Sequence, residues 1–214
     1  MSQQPNLSLE SQLWSQGRVR VAGIDEAGRG AWAGPVVAAV VVLPPFLPDL
    51  AALLEPVRDS KLLTPQARDK CYDLVIERAL DYGVGSTPAT EIDRIGIATA
   101  TRLAMCQAIA ALKQPPDYLL LDYVTLPLAI PQHAMPKGDL YCLSIAAASI
   151  IAKVTRDRWM IELDKTFPGY GLAQHKGYGT AQHQAALRAL GPTAEHRHSF
   201  APIRCLDEHT HADA

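Results

Sequence analysis

Apolar runs that stop abruptly at carboxylates organise this chain. Val21-Ala22-Gly23-Ile24 ends in Asp25 and Glu26, a Gly28-Arg29-Gly30 turn follows, and Val36 to Leu43 gives a second, β-branched run. That pattern predicts strand, tight turn, strand. Tyr118-Leu119-Leu120-Leu121 ends in Asp122 in the same way, and its continuous apolarity predicts a buried strand. Tyr82 to Ser86 alternates and is bounded by glycine, which predicts a third strand. A last short strand is expected over Ala134 to Asp139, ending at Lys137-Gly138-Asp139.

Between these runs the apolar period lengthens to that of helices. A short helix is expected over Ser8 to Gln16. Thr64-Pro65 is an N-cap followed by proline at the first helical position, so a helix should run from there to about Leu80, with Leu74, Val75 and Ala79 inward. Glu91 to Leu112 predicts another, its core side supplied by Leu103, Met105, Cys106, Ile109 and Leu112. A long helix is expected from Ile145 to Thr166, carrying Ser149, Lys153, Arg156 and Asp157 as a polar stripe. After a glycine-rich loop from Gly169 to Gly179, Ala181 to Leu190 predicts a further helix, stopped by Gly191-Pro192. Pro44, Pro45 and Pro48 impose a loop. Met1 to Leu7 is expected to be disordered, and Leu206 to Ala214 a polar, mobile tail. Strands alternating with helices imply an α/β fold, a mixed sheet with helices on both faces.

Composition narrows the function classes. A chain of 214 residues holds one large domain, or one domain plus a small appendage. Its formal charge of −2 gives no general pull toward polyanions, so any nucleic-acid binding must rest on local basic groups and metals. Cys71, Cys106, Cys142 and Cys205 are scattered, which argues against zinc and against a disulfide scaffold and fits a reducing cytoplasm. Met1 to Gly17 lacks an apolar signal core, and the apolar stretch Ala31 to Leu47 is too interrupted by Gly34, Pro35, Pro44 and Pro45 to span a bilayer.

Two carboxylates at a buried strand end are costly unless a cation meets them. Alternation along a strand sends Asp25 and Glu26 to opposite faces, and a bend at the strand end lets Glu26 join Asp25. A divalent metal is the economical partner, and glycines in the following turn let main-chain N–H groups approach a ligand. Gly28-x-Gly30-x-x-Ala33 also matches a dinucleotide fingerprint loosely, but the residues after Ala33 read as strand where that fingerprint needs a helix.

The motifs carry a family resemblance. Gly23-Ile24-Asp25-Glu26-Ala27-Gly28-Arg29-Gly30 followed by Ala33-Gly34-Pro35 resembles the opening motif of ribonuclease HII, the type 2 ribonucleases H. Asp59-Ser60-Lys61, Leu121-Asp122, Lys137-Gly138-Asp139 and the run from Ser144 to Arg158 continue the likeness. His175-Lys176-Gly177-Tyr178-Gly179-Thr180 and His196-Arg197-His198-Ser199-Phe200-Ala201-Pro202 complete it, in family order from about Leu13 to Pro202. The Gly-Arg-Gly is similar to type HII rather than type HIII. Two departures stand out: Tyr123 follows Asp122 where the family commonly has glycine, and Tyr141-Cys142 follow Asp139 where a lysine and a small polar residue are usual.

The resemblance implies a ribonuclease H-like fold, a five-stranded mixed sheet flanked by helices with a C-terminal helical extension. Residues 1–17 would form an N-terminal extension, 18–205 the catalytic domain with its C-terminal helical part, and 206–214 the mobile tail. It implies an endoribonuclease that hydrolyses the RNA strand of RNA–DNA hybrids and cuts on the 5′ side of single ribonucleotides in duplex DNA, leaving 3′-hydroxyl and 5′-phosphate ends. Asp25, Glu26, Asp122 and Asp139 would be the catalytic residues and would hold two divalent ions, magnesium or manganese, which prefer oxygen donors. Asp157 is the alternative fourth acid, but its neighbours Arg156, Arg158 and Lys153 point to an ion pair on the helix. Substrate contacts fall to Gly28, Arg29, Gly30, Lys61, Lys176 and Tyr178, with the glycine turn at the 2′-hydroxyl and Tyr178 at the RNA–DNA junction. A monomer is expected, with no membrane partner. His175, His183, His196 and His198 lack a metal-binding spacing with the acids and are given no catalytic role.

Overall fold

The computed structural model describes residues 4–212, with side chains as far as Leu206. In chain order the elements are α1 (Ser8–Ser15), β1 (Val21–Ala27), β2 (Val36–Val42), α2 (Leu50–Leu53), α3 (Pro65–Arg78), β3 (Asp81–Thr87), α4 (Ala89–Ile95), α5 (Ile97–Ala110), β4 (Tyr118–Asp122), β5 (Gln132–Met135), α6 (Leu143–Thr166), α7 (Leu172–His175), α8 (Ala181–Leu190) and α9 (Ala201–Ala212). Single 3-10 turns stand at Ser60–Leu62 and Gly138–Leu140.

The sheet has five strands in the order β3-β2-β1-β4-β5. β1, β2 and β3 pair antiparallel, whereas β1, β4 and β5 run parallel. This is the mixed sheet that the resemblance implied. Its two sides are sorted by strand alternation. Ala39, Val41 and Leu43 pack against α3 and α6, through Cys71, Val75, Ala147 and Ile151. Ala38, Val40 and Val42, with Ile24, Leu119 and Leu121, pack against Ala100, Ala104, Met105 and Ala108 of α5. β2 is buried along its whole length, which is why it reads as a continuous apolar run and not an alternating one. Each fully buried Val, Leu or Ile contributes on the order of 1.5–3 kcal/mol. The start of α6 lies directly on β1: a Cβ at Gly23 would sit 2.2 Å from the main-chain carbonyl carbon of Ser144. Glycine at that position therefore lets the long helix pass beneath the acidic end of the strand.

Several expectations need correction. The predicted helix from Glu91 to Leu112 is two helices, because Gly96 at φ +78° breaks it into α4 and α5. Met105 is buried there and Ile109 packs partly against the core, but Leu103 is exposed. The last strand covers Gln132–Met135 and stops short of the acid, since Lys137 at φ +60° turns the chain into the 3-10 turn that carries Asp139. Asn6 and Leu7 are not disordered: Asn6 N–H donates to Tyr141 O (3.1 Å), Leu143 N–H donates to Asn6 O (3.0 Å), and Leu7 packs on the core. Residues 1–3 of that expected segment lie outside the described residues. The chain after Pro202 is helical, with Ile203 of α9 buried against Ala33, Met160 and Leu187. The expected tail continues this helix to Ala212, and residues 213–214 lie outside the described residues. All four cysteines are free thiols. Among the described residues no helix is long and apolar enough to cross a membrane.

Candidate active site

The parallel pairing of β1 with β4, Ile24 opposite Leu121, sets the ends of the two strands side by side. Asp25 and Asp122 are the next residue on each. Asp25 is buried, and its Oδ1 accepts the N–H of Glu26 at 2.7 Å. Glu26 follows it on the strand, and both line one cleft of about 490 Å³. Asp122 Oδ1 accepts the N–H of Gly138 at 2.9 Å, which draws the 3-10 turn and Asp139 toward the same strand end. Asp139 is buried, 3.8 Å from the ammonium of Lys61.

The electrostatics are those of crowded acids. Burial, then the charges of Glu26 and Asp122, hold the Asp25 carboxyl well above the usual aspartate range, and Asp139 adds to the effect. Glu26 is raised by burial and by Asp122, against the opposing pull of Arg29 and Lys61. Asp139 is raised by burial, Asp59 and Asp122, with Lys61 opposing. Lys61 answers in kind. Burial alone would lower it, but Asp59, Asp139, Asp25 and Asp122 together raise it. Asp59 also caps the 3-10 turn at Ser60–Leu62, accepting the Lys61 N–H at 2.9 Å.

Among the described residues no three Asp, Glu, His or Cys side chains close around a single point. The donor set is nevertheless all oxygen, and the Asp25 carboxyl is destabilised by three neighbouring acids. Such a set suits a hard divalent cation, whose charge would relieve that repulsion.

The expected substrate residues divide. Gly28, Arg29, Gly30, Lys61 and Tyr178 line the cleft together with Asp25, Glu26 and Asp122. Arg29 also approaches Glu26, at 3.9 Å. Lys176 does not line the cleft: it stands at φ +53°, donates its ammonium to Ala173 O, and lines an adjoining pocket of about 370 Å³ with Arg68, Arg158 and Gln174. Tyr178 and Lys153 belong to both spaces. Asp157 is occupied by Lys153 at 2.7 Å and Arg68 at 3.4 Å. The residues after Ala33 form β2, antiparallel to β1, so no helix opens behind the glycine turn as a dinucleotide fold requires.

Sequence reading missed three features. Lys153 reaches the cleft from α6, and the polar stripe on that helix was its only signal. Arg156 and Arg197 are completely buried, which no periodicity reveals in an arginine. His175, His183 and His196 form a buried cluster, with the first two rings stacked 4.3 Å apart. Their shared motifs were visible in the sequence, but their meeting was not.

The family model for ribonuclease HII matches residues 22–203. A ribonuclease HII of Dehalococcoides mccartyi is 51% identical over 204 residues, covering 94% of this chain and 95% of that protein. A ribonuclease HII of Chloroflexus aurantiacus is 54% identical over 200 residues, covering 93% and 94%. Among solved structures, the ribonuclease H2 of Pyrococcus horikoshii superimposes with a TM-score of 0.75 at 28% identity, over 90% of this chain and 99% of that one. With this much of its length shared, and with acids at the paired strand ends, the chain belongs to the ribonuclease HII family, metal-dependent ribonuclease H endonucleases acting on RNA paired with DNA.

Proposed function

We propose that this enzyme cleaves the RNA strand of RNA–DNA hybrids and also cuts on the 5′ side of a single ribonucleotide in duplex DNA. The products would carry 3′-hydroxyl and 5′-phosphate ends. In a cell such activity serves ribonucleotide removal and clearance of primer remnants. The observation that carries this reading is one cleft shared by acids and recognition groups: Asp25, Glu26 and Asp122 face Gly28, Arg29, Gly30 and Tyr178 across it.

Asp25, Glu26, Asp122 and Asp139 would hold two magnesium or manganese ions. When bound, such ions would supply a nucleophilic hydroxide and charge neutralisation at the departing oxygen. The chain's own groups do the rest. Lys61, drawn toward Asp139, offers a point charge to a phosphate at the cleft edge. Arg29 is half-exposed on the turn and reaches the same space. The main chain at Gly28 and Gly30 presents polar groups to the 2′-hydroxyl, which distinguishes RNA from DNA. Tyr178, 37% exposed and lining the cleft, would rest on the deoxyribose that follows the ribonucleotide. Lys176 would act on phosphates outside the acidic cleft, from the adjoining pocket.

The test is end-mapping. A duplex containing one ribonucleotide is incubated with enzyme and magnesium, with manganese, and with chelator. The expected result is a single cut 5′ to the ribonucleotide with a 3′-hydroxyl end, absent in chelator. Cleavage on the 3′ side, or cleavage only of long hybrids, refutes the single-ribonucleotide reading.

A further inference from the structure

Arg156 has no part in the chemistry above, yet its surroundings are unusual. It is completely buried, and all of its hydrogen bonds go to main-chain carbonyls. Nε donates to Pro35 O (2.8 Å) and Nη2 to Ala33 O (3.0 Å), both just beyond the glycine turn. Nη1 donates to Lys176 O (2.9 Å), two residues before Tyr178. The guanidinium carbon lies 5.6 Å from the centre of the Tyr178 ring. Gly28 rests on the same group: a Cβ there would fall 1.8 Å from Arg156 Nε. One guanidinium thus touches the first glycine of the turn, the carbonyls that follow the turn and the loop that carries Tyr178, and lies over the tyrosine ring.

A buried cation satisfied only by carbonyl dipoles is costly, and filling the space with an apolar side chain would be cheaper. What arginine adds is geometry, a rigid planar fork that fixes several acceptors at once. Arg197 makes the comparison useful. It is equally buried and donates to Arg29 O (2.9 Å) and to Gly34 O (3.1 and 2.9 Å), so it braces the turn without a hydrogen bond to the Tyr178 loop. Of the two, only Arg156 donates to both segments.

We infer that Arg156 is a positioning residue that sets the spacing between the 28–30 turn and Tyr178, and through that spacing the preference for a single ribonucleotide over a long hybrid. The inference rests on the proposed reading of the turn and Tyr178. A long hybrid presents a 2′-hydroxyl at every position, so a shifted tyrosine still finds a productive register. A single ribonucleotide offers one register only.

The experiment compares wild type, Arg156→Lys, Tyr178→Ala and the double variant, with kcat and KM measured on both substrates in saturating magnesium. Lysine keeps the charge but cannot reach three carbonyls. Arg156→Lys should lower kcat/KM on the single-ribonucleotide duplex about tenfold more than on the hybrid, a shift typical of losing one well-oriented contact. Tyr178→Ala should shift the same ratio, and the double variant should shift it no further than Tyr178→Ala alone. If Tyr178→Ala leaves the ratio unchanged, the reading of Tyr178 fails and this inference falls with it. If Tyr178→Ala shifts the ratio but a folded Arg156→Lys does not, or if the two shifts multiply, the inference alone is overturned. Should Arg156→Lys not fold, the wild-type enzyme decides by nitrogen NMR. A clamped Arg156 gives two resolved, non-equivalent Nη resonances, and a single averaged one overturns the proposal.

Discussion

At Asp25 the fold works against its own stability. The carboxyl is buried and faces Glu26, Asp122 and Asp139, so its folded pKa stands above its unfolded one. As pH rises through the ordinary aspartate range, the unfolded chain releases this proton first. The folded state binds more protons, so stability declines with rising pH until the folded group has also ionised. Asp25→Asn removes that penalty. In metal-free enzyme the variant should melt higher than wild type at pH 7, and the gap should close toward pH 4. Turnover in saturating magnesium should drop by roughly a thousandfold or more. Near-wild-type turnover would refute the two-metal assignment. Tyr123, beside the third acid, carries strain of another kind. It is an exposed tyrosine at φ +67°, where the family's usual glycine would sit without cost. Left-handed backbone costs a residue with a Cβ about 1–2 kcal/mol, partly offset by the greater unfolded-state freedom of glycine. Tyr123→Gly should therefore raise stability by up to about 1 kcal/mol in urea denaturation. A loss of stability would show that the ring makes contacts worth more than the strain.

The elements show why some of this was legible and some was not. β1 and β4 announced themselves, because a continuous apolar run that stops at an acid is a buried strand delivering a carboxylate to its end. The register that makes Asp25 and Asp122 neighbours is long-range pairing, and no local pattern encodes it. Asp139 was visible only through its motif: it rides a 3-10 turn after Lys137, not a strand, and Asp122 holds that turn through Gly138 N–H. Gly96 sits inside an otherwise helical pattern, where a single glycine usually passes unnoticed, and there it splits α4 from α5. Turn and helix also compete as sources of the fourth acid. Asp139 belongs to the field of the other carboxylates and Asp157 to the ion pairs of α6. Asp139→Asn should thus reduce kcat on a ribonucleotide-containing duplex far more than Asp157→Asn. The latter should show mainly in stability, since it leaves Lys153 and Arg68 without their carboxylate. The reverse order of kcat losses would assign the role to the helix.

On the scale of the whole molecule, the C-terminal helices are tied to the connection between β1 and β2 through a buried chain of neutral imidazoles. Thr193 N–H donates to His196 Nδ1 (2.9 Å), so His196 carries its proton on Nε2 and donates it to His183 Nε2 (3.0 Å). His183 in turn carries its proton on Nδ1 and donates to Tyr178 O (3.1 Å). His175 stacks on His183, Trp32 packs beside it, and Ala33 bridges to His196, so the chain spans the turn, the tyrosine loop and the segment after α8. Every ring nitrogen in the His183–His196 pair is committed, and a second proton on His196 Nδ1 would meet the Thr193 N–H and have to turn to the Thr193 hydroxyl, 2.9 Å away. Burial, with His175 facing His183 and with His183 and His198 facing His196, pushes both pKa values down to about 4. Between pH ~6.5, the unperturbed histidine value, and about 4, the unfolded chain binds protons that the folded chain refuses. Stability is therefore full above that window and falls as pH drops through it. Asp25, Glu26 and Asp139 slope the other way in metal-free protein, so the measurement is best made in the Asp25→Asn background, which removes the largest of the three opposing shifts. There the urea midpoint should decline steadily from pH 6.5 to pH 4.5. Nitrogen NMR at pH 6 should show both histidines neutral, His183 protonated on Nδ1 and His196 on Nε2. A midpoint that stays flat over this range, or an imidazolium signal from either ring at pH 6, would mean that the rings do not bind these segments as a neutral chain.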